Sequence, residues 1–187
     1  MKKAQQLLII AALSISLSGC AAALVGATAV GISAATDTRS IGTQIDDQTI
    51  EVRVITALKG EARLDDSRVQ VVSFNRSVLL LGQVSNSSLS DLASHIVRNT
   101  KGVERVHNEL QVAPVIAIGR ISQDSLITSK IKAKFVADKV VKASDIKVVT
   151  ENGEVALMGL VERDVARQAI EIARNVNGVS RVIDAFE

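Results

Sequence analysis

The chain has 187 residues, with 22 Lys and Arg against 20 Asp and Glu, no Trp or Tyr, three Phe, one Cys and two His. A net charge of +2 leaves no broad cation excess for neutralising a nucleic-acid backbone, and three Phe supply no stacking platform for single strands. One cysteine excludes an internal disulfide framework and a four-cysteine zinc site, and His95 and His107 leave little for metal or triad chemistry.

Lys2 and Lys3 form a positive start, followed by the eleven-residue apolar run Leu7 to Leu17. That run is too short to cross a bilayer as a helix but suits a secretory signal peptide. Leu17-Ser18-Gly19-Cys20 then resembles a lipobox. In that reading residues 1–19 are cleaved, and Cys20 takes a diacylglyceryl group on its thiol and an acyl group on the new amino terminus. Several chains anchor better than one, because each buried CH₂ contributes about 0.8 kcal/mol. By resemblance to lipoprotein sorting in enteric-type bacteria, the non-Asp residue Ala21 points to the outer membrane. Residues 21–36, "AAALVGATAVGISAAT", carry no charge and are broken by Gly26 and Gly31; with the polar stretch that follows they read as a tether over 20–45.

The remainder repeats. "VQVVSFNRSVLLLGQV" from Val69 matches "IKVVTENGEVALMGLV" from Ile146 at an offset of 77, and Gly102 matches Gly178 at 76. Each copy reads helix, strand, strand, helix, strand. In the first, Ile50, Val54 and Leu58 recur at i, i+4, i+8, with Asp46 or Asp47 as N-cap. Val69/Val71 and Val78/Leu80 alternate around an "FNRS" turn. A second helix buries Leu89, Leu92, Ile96 and Val97 and ends on Gly102 as its C′ residue. Val103 to Val112 is the last strand. In the second copy Asn152-Gly153 is a strong hairpin signal and is expected to give the tighter turn. Gly178 closes the helix and Val179 to Phe186 forms the strand. The last strand pairs with the hairpin through a helical crossover, so each copy is an α+β module: a three-stranded mixed sheet with two helices on one face. The modules are placed at 46–112 and 122–187, joined by a linker at 113–121 that holds the only proline, Pro114.

No residues assemble a nucleophile with a base. His95 reads as a solvated helix position, His107 as an ordinary strand position whose counterpart is Ile183, and Asp65-Asp66 as a solvated loop. The charge is uneven, however. Arg120 to Lys147 carries seven Lys and Arg against three Asp, whereas the rest of the second copy and the whole first copy are net acidic. With Ile127, Ile131 and Phe135 facing a core, the opposite side of that helix carries Leu126, Lys130, Ala133, Lys134 and Ala137. An apolar tip among lysines suits a peripheral site on an anionic membrane.

The stretches "LLLGQV…IVRNTKGVERVHNEL" and "ALMGLV…IARNVNGVSRVIDAF" resemble BON domains. With the lipobox, the chain from Cys20 to Glu187 resembles the dual-BON outer-membrane lipoproteins. The resemblance implies a non-enzymatic, periplasm-facing protein without cofactor, nucleic acid or small-molecule substrate. It would bind anionic phospholipid, such as phosphatidylglycerol or cardiolipin, and serve envelope integrity and cell division. It places lipid binding on the first helix of the second module, here Gly119, Arg120, Leu126, Ser129, Lys130, Ala133 and Lys134. Typical members carry a tryptophan where this chain has Leu126, so insertion should lean more on the lysines. An adaptor role, for outer-membrane protein assembly machinery or for regulation of peptidoglycan amidases, is the competing reading.

Overall fold

The structure is a computed structural model that describes residues 40–187. Cys20 and residues 21–39 lie outside the described residues, whereas residues 41–45, expected as the end of the tether, already belong to the first helix. Helix α1 (Ile41–Lys59) leads through a short 3₁₀ turn at Ala62–Leu64 into the hairpin β1 (Arg68–Phe74) and β2 (Ser77–Val84). Helix α2 (Ser87–Arg98) then carries the chain to β3 (Arg105–Val112). The order repeats as α3 (Ile118–Ala137), β4 (Ile146–Glu151), β5 (Glu154–Gly159), α4 (Arg163–Arg174) and β6 (Arg181–Asp184). In each module the central strand of the sheet is the second of the hairpin. It pairs antiparallel with the first strand and parallel with the last. The expected α+β modules are therefore both present.

Apolar spacing produces the helix-facing cores. Ile50, Val54 and Leu58 of α1 and Ala93 and Val97 of α2 cover Val71, Val78 and Leu80. Ile127, Ile131 and Phe135 of α3 and Ala169 and Ala173 of α4 cover Val148, Val155 and Leu157. Each fully buried aliphatic or Phe side chain contributes about 1.5–3 kcal/mol of transfer free energy, so these stripes rather than helix propensity hold the helices in place.

The opposite faces of the two sheets pack on one another. Val72, Phe74, Leu79 and Leu81 meet Ala156, Met158, Ile183 and Ala185 in a third apolar core. The result is four layers, helices outside and two sheets inside. Every residue of β2 is buried, because Val78 and Leu80 serve the helix side while Leu79 and Leu81 serve the other module. Polar contacts border this core. Arg68 donates to both carboxylate oxygens of Glu151, at 2.8 and 3.1 Å, and Gln83 donates to the same group at 3.1 Å. Lys147 Nζ donates to Glu51 at 2.8 Å and to the Ser73 carbonyl at 3.0 Å.

Three local expectations are corrected. The N-cap of α1 is Ser40, whose Oγ accepts from the Thr43 amide at 3.1 Å. Asp47 instead lies inside the helix, buried, and its carboxylate accepts from Ser73 Oγ and from the Asn75 and Arg76 amides at 2.8–2.9 Å. Asp124, its counterpart, accepts from the Asn152 and Gly153 amides at 2.7 and 2.9 Å. An aspartate one turn or more into each first helix thus clamps the hairpin turn of its own module.

That clamp explains the second correction. Both turns have two residues, and both place them at positive φ: Asn75 and Arg76 at 50° and 62°, Asn152 and Gly153 at 51° and 77°. The first turn is as tight as the second, because carboxylate contacts to its two amides offset the cost of a left-handed arginine. In the second turn glycine takes the positive φ, and a Cβ there would lie 3.0 Å from the Gly178 backbone carbonyl and displace the Arg120 guanidinium, 2.1 Å away, whereas the position equivalent to Arg120 in module one is Thr43.

Third, α2 and α4 end at Arg98 and Arg174 with Asn99 and Asn175 as C-caps, so Gly102 and Gly178 are not their C′ residues. Both glycines have φ of 99° and sit under the first helices, where a Cβ would come 3.1 Å from Ile50 and 2.9 Å from Ile127. The positive φ favours glycine at both positions, and the close approach of loop to helix adds to it. Helix α3 also opens at Ile118, inside the stretch assigned to a linker.

Candidate functional site

Helix α3 projects one side into its module and the other into solvent. Ile127, Ile131 and Phe135 are buried, and Leu126 is 60 % exposed. At 3.6 residues per turn Ile118, Leu126, Ala133 and Val136 fall on the outward side. Ile118 and Val136 are more exposed still, at 83 % and 75 %. Lys130 and Lys134 line one edge of this apolar stripe and Lys132 the other, all exposed, with Lys139 and Lys142 beyond the helix end.

The residues implied as a lipid site do not all belong together. Gly119, Leu126, Ser129, Lys130, Ala133 and Lys134 are exposed. The Ser129 hydroxyl donates to the Ser125 carbonyl at 2.9 Å, so it presents mainly a lone pair and its CH₂. Arg120 departs from the group. Its guanidinium turns inward to Asp124, with Nε 3.5 Å from Oδ1, and packs against Gly153. Lys147 is likewise spent on Glu51 between the modules. Two of the seven cations counted from Arg120 to Lys147 therefore serve the fold, and five remain on the surface. Ile118 and Val136 went unnoticed in the sequence reading. Extending the outward stripe one turn beyond Ala133 and two turns back from Leu126 would have found them.

The same face of α1 is different in kind. At the offset of 77, Lys130, Lys132 and Lys134 correspond to Arg53, Ile55 and Ala57, and Ser122 and Ser129 to Ile45 and Val52. Ile45, Val52 and Ile55 are exposed. Thr49 and Thr56 donate their hydroxyls to the carbonyls of Ile45 and Val52 at 2.8 and 2.7 Å, which leaves their methyl groups outermost. One module thus shows a basic stripe with apolar tips, and the other a nearly uncharged one.

Among the described residues no group of three or more His, Cys, Asp or Glu converges as a metal site, and no helix is long and apolar enough to cross a membrane. His95 is exposed and meets only the Asn99 side chain, at 3.2 Å. The duplicated αββαβ scaffold thus packs sheet to sheet, and its exposed basic stripe lies on one outer helix.

The chain belongs to the BON domain family, which matches it twice, over residues 46–114 and 123–187. It is 44% identical over 184 residues to "Outer membrane lipoprotein DolP" of Haemophilus influenzae, covering 98% of this chain and 95% of that one. It is 45% identical over 148 residues to a "21 kDa hemolysin" of Actinobacillus pleuropneumoniae, covering 79% and 76% of the two chains. It is 30% identical over 145 residues to "Osmotically-inducible protein Y" of Escherichia coli, covering 76% and 72%. The protein is thus a dual-BON lipoprotein of the outer membrane.

Proposed function

We propose that this is a non-enzymatic lipoprotein, acylated at Cys20, with its two modules in the periplasm and the outer face of α3 reading anionic phospholipid in support of envelope integrity and cell division. The observation that carries the reading is the stripe Ile118, Leu126 and Val136 flanked by exposed lysines, against the nearly uncharged equivalent face of α1. Cations near an anionic surface contribute about 1 kcal/mol each, and an exposed apolar tip gains by entering the interface. An acyl anchor with a second, weak contact raises the effective concentration of that contact.

The test is co-sedimentation of protein lacking residues 1–20 with vesicles of graded phosphatidylglycerol content. Leu126→Glu is expected to weaken binding by roughly thirtyfold, since it removes apolar area and adds repulsion worth together about 2 kcal/mol. Its melting point should stay put, because the side chain lies outside the core. Lys130→Glu with Lys134→Glu is expected to weaken binding further, most strongly at low salt. Unchanged sedimentation of both variants would move the lipid site off α3.

The anchor has its own test. Cys20→Ala is expected to remove the acyl acceptor, so that the protein no longer fractionates with detergent-released outer-membrane species. A mature, detergent-released product would refute acylation at Cys20.

An adaptor role remains the second reading, and it draws on α1. Exposed Ile45, Val52 and Ile55 form a face with little charge to attract headgroups. An adaptor would bind equally to neutral and anionic vesicles, or to neither.

A further inference from the structure

Helix α1 lies in an outer layer of the sandwich, and its solvent side has an order of its own. Ile45, Thr49, Val52 and Thr56 follow one another at intervals of four, three and four residues, the spacing of the a and d positions of a coiled coil. Ile45 and Val52 are 54 % and 64 % exposed. Thr49 and Thr56 offer no hydroxyl hydrogen to a partner, because both donate along the helix to the Ile45 and Val52 carbonyls. The seam therefore presents four β-branched side chains, apolar at the surface and with few rotamers to lose on contact. Its flanks limit what can cover it. Asp46 and Arg53 lie seven residues apart on one edge, both exposed, with contacts of 3.4 Å to Arg76 and to the Lys101 carbonyl. Gln48 and Ile55 form the other edge, which carries no charge.

We infer that α1 is a self-association surface, on which two copies of this chain pair α1 to α1, antiparallel about a twofold axis. Thr49 then lies against Val52 of the second copy, and Ile45 against Thr56. The charges fit this arrangement and no other. Antiparallel pairing sets Asp46 beside Arg53 of the second copy, and the twofold axis repeats the contact. A parallel helix would set both charges against Gln48 and Ile55 and leave them unpaired. Antiparallel pairing also opposes the two helix dipoles. It places Lys59, which ends the seam, over Gly42, which has no side chain to oppose it. The seam covers only about three turns, so the dimer belongs to the small, transient class of interfaces. Chains anchored on one membrane surface would meet there at a raised effective concentration. The inference goes beyond the lipid reading of α3 and does not depend on it.

The experiment uses protein lacking residues 1–20, which has no cysteine. Sedimentation velocity is expected to show a reversible monomer–dimer equilibrium at concentrations up to about 1 mM. Val52→Glu brings two carboxylates together near the axis and should weaken the dimer more than tenfold, because like charges so placed cost several kcal/mol. Its melt should not change, since Val52 lies outside the core. Arg53→Glu should also weaken the dimer, and adding Asp46→Lys should restore it. Orientation is read from Ile45→Cys and Thr56→Cys under mild oxidation. Mixed, the two variants should cross-link to each other. Alone, neither should, because equivalent positions would lie eleven residues apart along the axis, about 16 Å. A wild type that stays monomeric, or a dimer indifferent to Val52→Glu, overturns the inference and leaves α1 to a partner of another kind. Cross-linking of either cysteine variant alone as readily as the mixture overturns the antiparallel arrangement.

Discussion

Asp124→Ala is expected to lower the melting midpoint by roughly 10 °C. Asp124 is 3 % exposed, and it is the acceptor for the two amides of the β4–β5 turn. Hydrogen bonds to a charged group contribute about 1.5–3 kcal/mol each, and unpaired buried donors add a desolvation cost. A loss of about 3–5 kcal/mol corresponds to about 2–4 °C per kcal/mol in a protein of this size. Arg120 would also lose its carboxylate. Asp124→Asn keeps one acceptor oxygen and should fall between the two. Asp47→Ala should cost at least as much, because three donors converge on that carboxylate. Thermal melts followed by circular dichroism decide the matter. A shift of a degree or less would mean that water replaces the carboxylate and that the clamp adds nothing.

Ile131→Glu is expected to be worse. Ile131 is fully buried on α3, among Ile127, Phe135, Val148 and Leu157. A carboxylate there would have no partner and would be protonated or would unfold the helix packing, at a cost above about 4 kcal/mol. The variant should be recovered poorly or melt at least 10 °C lower, on the same scaling. Leu126→Glu, on the same helix, should leave the melt unchanged and change only vesicle binding. The pair therefore measures the two faces of one helix with one substitution type. A stable Ile131→Glu would require α3 to be rotated from the position its buried stripe defines.

Charge at the site follows from packing as much as from composition. A run of seven cations reads as one basic surface until their partners are known. Arg120 carries a visible clue, since Asp124 lies four residues on, the spacing at which helix neighbours pair. Lys147 carries none, because its partner Glu51 is 96 residues away. The exposed positions Leu126, Lys130 and Lys134 were legible because Ile127, Ile131 and Phe135 fix the rotation of the helix about its axis. The proximity of Asp138 and Glu171 was not, because the β4–β5 hairpin separates α3 from α4 in sequence and only the fold brings the two helices side by side.

The element order of both modules is a local property of this chain. Apolar residues recur at helical spacing in α1 and α3, alternate in the strands, and are interrupted by turn residues at offsets shared by both copies, so the repeat alone dictates two αββαβ units. The aspartates were present in that repeat too, aligned at 47 and 124, but a polar residue near a helix start reads first as a cap. Only the folded chain shows them buried against a turn 26 to 29 residues ahead. The packing of sheet on sheet was likewise decided in three dimensions. "VLLL" in β2 is apolar at successive positions and so must be covered on both faces, yet nothing in the run specifies what covers the second face. Met158, Ala156, Ile183 and Ala185 do so, because burying both sheets' remaining apolar faces against each other removes them from water in a single contact.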